Sequence, residues 1–366
     1  MFFDLGPKER KEEFFGRDAE ISEMLRLIRL GNWIVVLGPR MTGKTSIVKV
    51  ALTELRKKKG KERNYEALYL NLRGTRSIRG LLASLAEVIN ANQDILSRLR
   101  KFLTNVNTIH VGPDGLTLGR DASKPTITLL SLFSALDRSG KNYVIALDEV
   151  QVLAPVSGQL LALLANVFTS YNNIKFIFTG SQIGLIRALL EPASSNSPMY
   201  GRPPAEIRLH PFQRETSEAF LVAGLKQCKV EPLSKDQLTE VTSKLDGIAG
   251  WLTMFGNFYG IRRLDYDDSL ERTIREGGKI ALSELENFLK GRNKSNVTAV
   301  LKTIKSAGSL GSSWTEISRG MEAQLKTGEV NHKTISSTID SLIEAEILMD
   351  ERGKYRIIDP LLAEAL

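Results

Sequence analysis

A glycine-rich octapeptide carries residue types suited to binding phosphate. Residues 38–45 read G-P-R-M-T-G-K-T, which matches the spacing G-x-x-x-x-G-K-[ST], and they follow the apolar run 33–37. Two glycines let the backbone curl so that successive N–H groups point at phosphate oxygens. The lysine ammonium reaches the β- and γ-phosphates, and the final threonine hydroxyl ligates Mg²⁺. The predicted nucleotide contacts are Gly38, Pro39, Arg40, Met41, Thr42, Gly43, Lys44, Thr45 and Ser46.

A second motif supplies carboxylates at the end of another apolar run. Asp148 and Glu149 follow residues 143–147, which read as a buried strand. An acidic residue at the carboxyl end of a strand opposite the loop holds Mg²⁺, so Thr45 and Asp148 are the predicted metal ligands. The neighbouring carboxylate accepts a proton from an attacking water. This pair favours hydrolysis, with Glu149 and Lys44 as catalytic residues, over transfer to a small acceptor.

Two further polar positions are candidates for catalysis. The next strand ends at Thr179, and either this residue or Ser181 orients the attacking water; Ser181 suits a helix N-cap equally well. An arginine commonly neutralises charge on the γ-phosphate, and the candidates are Arg202 and Arg187. Arg202 stands in a Pro/Gly-rich stretch, so a surface loop is the alternative interpretation.

The elements that would position these residues alternate between strand and helix. Such alternation predicts a parallel, three-layer α/β sheet. The alternating run around G-P-D-G predicts a β-hairpin inserted near 105–118. The predicted sheet strands cover residues 33–37, 65–72, 143–147, 174–178 and 206–209.

The rest of the chain has a different character. Helical patterns dominate from about Pro211 to Leu289 and predict a helical lid. A polar linker at 291–295 precedes three short helices and a two-stranded hairpin, which is the outline of a winged helix. We therefore expect a P-loop ATPase core over 1–210, a lid over 211–290 and a winged helix over 291–366.

Composition limits the classes of protein. The chain has 366 residues, 42% of them hydrophobic and 25% charged, which suits a soluble globular protein of several domains. A single cysteine, Cys228, excludes an internal disulfide and fits a reducing cytoplasm. Residues 150–174 carry no charge, but interspersed polar residues and Pro155 favour a buried helix, so we expect no membrane partner.

Charge leaves the partner of the C-terminal region open. The whole chain carries +8, which permits nucleic acid binding, although the basic clusters at 57–63 and 73–79 equally suit solvated surfaces. Residues 291–366 hold ten Lys/Arg and ten Asp/Glu, so they are formally neutral. DNA affinity rests mainly on phosphate neutralisation. Duplex DNA and a protein or intramolecular partner both stay open, with 331–337 and the hairpin cations as the candidate DNA surface.

Taken in order, the motifs resemble one known family. The matching blocks are residues 15–17, the glycine-rich loop, and residues 147–151, 179–181, 197–202 and 355–362. With these blocks the chain resembles the archaeal ATPase family, within the AAA+-related signal-transduction ATPases with numerous domains (the STAND class). The resemblance implies ATP/ADP and Mg²⁺ as ligands, a helical lid, a winged helix, and Arg202 facing phosphate or acting as a switch. It also implies that Phe15, Gly16 and Arg17 lie near the adenine.

One position departs from that family. Its lid carries a Gly-x-Pro motif, whereas this chain has Ala249 where the proline is expected. The leading hypothesis is an ATP-hydrolysing switch whose lid couples nucleotide state to the winged helix. The alternative is a DNA-binding regulator or initiator-like protein that uses nucleotide structurally. A ring-forming motor is a third option, for which the sequence carries no pore-loop signal.

Overall fold

The computed structural model describes residues 1–57, 65–103, 109–112, 115–118, 125–180, 186, 197–325 and 330–366. Two units emerge from their contacts. The first, here called the sheet unit, contains Pro7–Leu37 and Lys44–Arg208. The second, here called the helical unit, contains Met1–Gly6, Gly38–Gly43 and Leu209–Leu366. Most of the basic cluster at 57–63 lies outside the described residues, as do Ser181 and Arg187.

The sheet unit is built on five parallel strands in the order β2-β5-β6-β1-β7. All four residues of β1 are buried, as expected for a strand covered on both faces by helices. The parallel sheet predicted from the sequence is therefore confirmed. Its strands, with a separate hairpin β3–β4, are β1 Ile34–Leu37, β2 Tyr65–Asn71, β3 Ile109–Gly112, β4 Gly115–Leu118, β5 Asn142–Asp148, β6 Ile174–Thr179 and β7 Ala205–Arg208.

Six α-helices accompany these strands among the described residues of the sheet unit. Ser77 caps the third of them, because its side chain accepts a hydrogen bond from the Gly80 N–H over 3.1 Å. The hairpin predicted near 105–118 is present and is held by Asn90, whose amide exchanges two hydrogen bonds with the Leu116 backbone. The helices are α1 Asp18–Arg29, α2 Lys44–Lys57, α3 Ile78–Asn90, α4 Gln93–Leu103, α5 Pro125–Arg138 and α6 Ser157–Ser170.

The uncharged segment after β5 contributes to the core of this unit. Residues Val150–Ser170 are long and apolar enough, by length and composition, to cross a membrane. In the structure the segment is a 3₁₀ helix, Val150–Val156, that continues into α6. Its leucines at 160, 161, 163 and 164 are buried in the cluster that also contains the sheet strands. These leucines place one face of the segment in the core of the sheet unit.

The helical unit begins with four α-helices and a π-helix, Asn257–Ile261. Ser234 and Gln237 form the predicted capping box at the second of them. Phe3 is fully buried in this unit, with its ring against Gly224 and Gly256 and its carbonyl bonded to Asn257. The four helices are α7 Arg214–Cys228, α8 Lys235–Leu245, α9 Ala249–Gly256 and α10 Tyr266–Leu289.

The C-terminal part of the helical unit combines four helices with a small antiparallel sheet. The sequence predicted two strands, but Ser312–Ser313 adds a third, which is too short to show a periodic pattern. The predicted linker is also shorter, because Asn293 already caps the next helix by accepting from the Asn296 N–H. The elements are α11 Lys294–Ala307, β8 Ser312–Ser313, α12 Trp314–Leu325, α13 His332–Glu344, β9 Leu348–Glu351, β10 Lys354–Ile357 and α14 Pro360–Ala365.

Candidate nucleotide-binding site

The carboxylate of Asp148, at the carboxyl end of β5, is the centre of a hydroxyl cluster in the sheet unit. Oδ2 accepts hydrogen bonds from the Thr45 hydroxyl at 3.0 Å and from the Tyr69 hydroxyl at 2.5 Å. Oδ1 accepts a short hydrogen bond from the Thr179 hydroxyl. Only 4% of Asp148 is exposed, so burial makes these donors necessary. The structure thus brings together three residues predicted from separate motifs: Thr45, Asp148 and Thr179.

Thr179 connects the two carboxylates of the acidic pair. Its hydroxyl donates to Asp148 and accepts from the backbone N–H of Glu149 over 3.2 Å. β6 pairs with β5 in parallel, which brings their carboxyl ends to one edge. With both hydroxyl functions engaged on this pair, Thr179 fixes the backbone between Asp148 and Glu149. The choice between Thr179 and Ser181 as the water-orienting residue stays a prediction, because Ser181 lies outside the described residues.

Glu149 stands in a strained backbone conformation. Its φ is +61°, in the left-handed region that residues with a Cβ seldom adopt. Such a conformation costs about 1–3 kcal/mol and concentrates at functional sites. The Gln151 amide donates a short hydrogen bond to Oε2, and an Arg73 guanidinium nitrogen lies 3.6 Å from Oε1. The carboxylate predicted to accept a proton from water is therefore held on both of its oxygens.

The position of Gln151 depends on a glycine. Gly180 has φ of +155°, and a Cβ added there would collide with Oε1 of Gln151. That oxygen is buried and makes no hydrogen bond within the part of the chain that the structure describes. Gly180 therefore provides the space that lets the Gln151 amide reach Glu149.

Tyr69 and Arg73 are contacts of the acidic pair that sequence reasoning did not assign to the site. Burial, followed by the hydrogen bond to Asp148, raises the pKa of the Tyr69 phenol well above its ordinary value. The phenol therefore remains a donor. The register of the sheet explains the Tyr69 contact. Asn71 lies opposite Asp148, and Tyr69, two residues earlier on β2, projects from the same face of the sheet as these two residues.

The donor chemistry of this cluster fits Mg²⁺. The Thr45 hydroxyl and the Asp148 carboxylate are hard oxygen ligands, and their 3.0 Å separation places both on one side of the cluster. Among the described residues no group of three or more His, Cys, Asp and Glu side chains is placed to hold a metal. Mg²⁺ is usually bound by one or two protein oxygens, with water and substrate phosphate as its other ligands, so the oxygens of Thr45 and Asp148 would suffice.

The glycine-rich loop has the backbone geometry that its sequence predicted. Gly38 and Gly43 have φ of +145° and +97°, and Met41 has φ of +62°. A Cβ on Gly38 would strike the Leu209 carbonyl, so this position requires glycine. The Thr42 hydroxyl donates to the Pro39 carbonyl over 2.7 Å. Lys44 follows directly as the first residue of α2, so the loop leads into a helix N-terminus that favours anions.

Residues Gly38–Gly43 of the loop belong to the helical unit, and three of them bond to its helices and turns. The Gly250 N–H donates to the Met41 carbonyl over 2.8 Å. The Arg40 guanidinium lies 2.5 Å from the Glu284 carboxylate, and the Gly38 N–H donates to Oε2 of Glu346 over 3.1 Å. The loop therefore contacts α9, α10 and the turn that follows α13.

The segment expected near adenine precedes α1. Gly16 has φ of +69°, and Arg17 is only 5% exposed, with its guanidinium 2.9 Å from the Glu20 carboxylate. Phe15 is half-buried. Ser46, in the first turn of α2, accepts a hydrogen bond from the Lys8 N–H over 3.0 Å. The contact of residues 15–17 with a base stays a prediction.

Arg202 does not join the acidic cluster. Its guanidinium lies 5.7 Å from the Phe168 ring, which packs on Trp33, the residue before β1. This is the amino edge of the sheet, whereas Asp148 and Thr179 lie at the carboxyl edge, and the four residues of β1 span about 13 Å. Arg202 therefore lies apart from Asp148 and Thr179, and its phosphate-facing or switch role stays a prediction. Because β7 is parallel to β1, the chain must return to the amino edge just before Ala205.

Ala249 occupies the first position of α9. The preceding residue, Ile248, is extended with φ of −71° and ψ of 106°. A proline would fit at position 249. Proline suits the first residue of a helix, and it requires the residue before it to be extended, as Ile248 is. The helix therefore begins here without the proline of the related motif.

Comparisons with known proteins agree with this geometry. Residues 14–255 match the model of a family described as an ATPase domain predominantly from Archaea. No protein with a curated description matches the chain. A Walker-type ATPase of Pyrococcus abyssi shares 26% identity over 100% of this chain and 99% of its own, with a TM-score of 0.79.

Two more distant structures share the fold. The ORC2 protein of Aeropyrum pernix, in its ADPNP–ADP complexes, gives a TM-score of 0.64 at 13% identity, over 99% of this chain and 94% of its own. Cdc6p of Pyrobaculum aerophilum gives 0.52 at 14% identity, over 99% and 95%. At these identities the likeness concerns the fold alone. The family match covers most of the chain, and the protein belongs to the family of ATPase domains found predominantly in Archaea.

Proposed function

We propose that this protein binds ATP with Mg²⁺ at the glycine-rich loop and hydrolyses it. The observation that carries the proposal is the 3.0 Å hydrogen bond between Thr45 and Asp148. It joins the first turn after the loop to the acidic end of β5, as a Mg²⁺-dependent ATPase requires. The family membership and the Pyrococcus abyssi structure support the same assignment.

Each residue of the site has a distinct role in the proposed reaction. Loop N–H groups and the Lys44 ammonium bind and orient the triphosphate. Thr45 and Asp148 hold Mg²⁺, which when bound stabilises negative charge on the phosphate oxygens. Glu149 accepts the proton of the attacking water, and Gln151 and Arg73 hold its carboxylate in place. Tyr69 and Thr179 donate to Asp148 and so keep its oxygens oriented.

Nucleotide state is communicated to the rest of the chain through the loop. The loop bonds directly to α9, α10 and the turn after α13, so a ligand that reshapes the loop also acts on these elements. In this proposal residues 1–210 form the core, 211–290 the lid and 291–366 a winged helix. The cytoplasmic location predicted from cysteine usage also stays a prediction.

Two variants test the proposal. Lys44→Ala should abolish binding of a fluorescent ATP analogue, because it removes the ammonium that meets the phosphates. Glu149→Gln should retain binding but release no phosphate above background. Lys302→Ala, which changes an exposed lysine of α11, is the control and should match the wild type in both assays. Equal phosphate release by wild type and Glu149→Gln would show that Glu149 is not the base.

The charge distribution favours docking over DNA binding for the C-terminal region. Two cations of the hairpin are paired, Lys354 with Glu316 at 2.8 Å and Arg356 with Glu351 at 3.0 Å. Paired cations neutralise fewer DNA phosphates. Anisotropy of a labelled duplex at 50 mM and 200 mM salt separates the alternatives. Salt-sensitive binding, weakened by Lys333→Ala in the exposed first turn of α13, would instead support the DNA-binding regulator.

A further inference from the structure

The loop expected to receive phosphate already bonds to a carboxylate of its own chain. The Gly38 N–H donates to Oε2 of Glu346 over 3.1 Å, although 308 positions separate the two residues. Both residues belong to the helical unit. A carboxylate oxygen and a phosphate oxygen are both anionic acceptors, and the N–H groups of such a loop bind either.

The turn that carries Glu346 is built to present this side chain. After α13 the Glu346 N–H donates to the Ile343 carbonyl and the Ile347 N–H donates to the Leu342 carbonyl, at 2.8 and 3.0 Å. These two bonds define a Schellman motif, in which Glu346 takes the position that usually holds glycine. Its φ is +56°, in the left-handed region. A glutamate that occupies a disfavoured conformation at a rigid turn has a fixed base and points to a functional side chain.

Neighbouring contacts hold the loop against the same unit. The Arg40 side chain pairs with Glu284 of α10 at 2.5 Å, and the Met41 carbonyl accepts from the Gly250 N–H of α9 at 2.8 Å. Arg40 and Met41 lie two and three residues after Gly38 in the same loop. Together with the Gly38–Glu346 bond, these two contacts join three residues of the loop to α9, α10 and the turn after α13, so the Glu346 contact belongs to a larger set of contacts on the loop.

We propose that Glu346 is an intramolecular competitor for the phosphate-binding loop. The Glu346 carboxylate and a nucleotide phosphate require the same N–H donor, so docking of the turn after α13 and binding of ATP exclude each other. This inference rests on the proposed function of the loop. Release of Glu346 detaches the turn after α13 from the loop, and its return lowers the apparent affinity for ATP. If nine molecules in ten are docked, the apparent Kd is about ten times the intrinsic value.

Affinity for a fluorescent ATP analogue with Mg²⁺ tests the competition. Glu346→Gln keeps the side-chain length and removes the charge, whereas Glu346→Gly removes the side chain and suits the left-handed turn. With nine wild-type molecules in ten docked, Glu346→Gly should bind about tenfold more tightly than the wild type. Glu346→Gln should gain less, because its amide oxygen still accepts from the Gly38 N–H but without the charge. Two controls should bind like the wild type. Arg352→Gly relieves the same backbone strain, φ +57°, at an exposed turn, and Asp340→Asn removes one exposed carboxylate from α13.

Amide hydrogen exchange of a peptide covering residues 36–45 provides a second readout that needs no nucleotide. In Glu346→Gly the loop amides should exchange faster than in wild type and Arg352→Gly, because a protecting bond is lost. Unchanged affinity and unchanged exchange in both Glu346 variants would overturn the inference. The proposed function would still stand in that case if Lys44→Ala abolishes ATP binding. If neither the wild type nor any Glu346 variant binds ATP, the proposed function fails, and the competition falls with it.

Discussion

The indole Nε1 of Trp251 donates a hydrogen bond to Oδ1 of Asp359 over 3.0 Å and thereby joins α9 to the start of α14. The same carboxylate caps α14, since it accepts from the N–H groups of Leu361 and Leu362. Gly277 of α10 lies beside both the Trp251 ring and the Leu361 side chain. The D-P-L-L run near the C-terminus thus has a structural role: it anchors α14 on α9 and α10.

Asp359 gives a first prediction, on stability. Burial raises the pKa of its carboxyl above the ordinary value, although the three donors act in the opposite direction. The folded state therefore binds this proton more readily than the unfolded state does. The resulting stabilisation is complete below the unfolded pKa of about 3.9 and is lost as pH rises through the raised folded pKa. Asp359→Asn should remove this dependence and stay within about 1 kcal/mol of wild type at pH 8, because it keeps the acceptor.

Asp359→Ala is the contrasting variant. It removes the N-cap of α14, at about 0.5–2 kcal/mol. It also leaves the buried Trp251 N–H without its acceptor, at about 1–3 kcal/mol. Urea denaturation of the three proteins at pH 5 and pH 8 measures both effects. Equal stability of the Asn and Ala variants would show that the hydrogen bond contributes nothing.

A second prediction concerns the missing lid proline. Ala249→Pro should stabilise the protein by about 0.4–1 kcal/mol, because the position is already helical and its predecessor is extended. Gly250→Pro is the matched control. The Gly250 N–H donates to Met41, so proline there removes a bond to the loop and should destabilise. Thermal unfolding measures the stability of both variants. A destabilised Ala249→Pro would show that α9 does not begin at residue 249.

A third prediction concerns the support of Glu149. Gln151→Met preserves side-chain length but removes the amide that bonds the carboxylate. Misplacing a catalytic group by about 1 Å can lower the rate by about 100-fold, so we expect a fall in kcat of that order at most, with little change in KM. Gln159→Met, at an exposed position of α6, is the control for the same chemical change. A rise in KM at constant kcat would instead assign Gln151 to substrate binding.

A fourth prediction follows from the placement of Arg202. Its guanidinium lies over Phe168 at the amino edge of the sheet. Arg202→Ala should therefore leave turnover of ATP by the purified protein unchanged, while removing a cation–π contact worth about 0.5–1 kcal/mol at an exposed site. Phosphate release and thermal unfolding measure the two effects separately. A large loss of turnover without loss of stability would instead support the phosphate-facing role of Arg202.

Local sequence determined the phosphate-binding loop, the acidic strand end and the parallel sheet. The loop requires glycine at particular φ values, and a buried strand requires an unbroken apolar run, so both leave a mark on consecutive residues. The capping box at Ser234 and the hairpin near 105–118 were visible for the same reason. Each of these features is formed by residues close together in the chain.

Only the tertiary structure decided which distant side chains meet. Tyr69 joins Asp148, and Gly180 leaves room for Gln151, because strand order and register bring the ends of these strands to one edge. The same topology sends Arg202 to the opposite edge. The bond between Gly38 and Glu346 spans 308 positions. No local pattern encodes such pairs, since they depend on how the elements pack and not on the residues that precede or follow them.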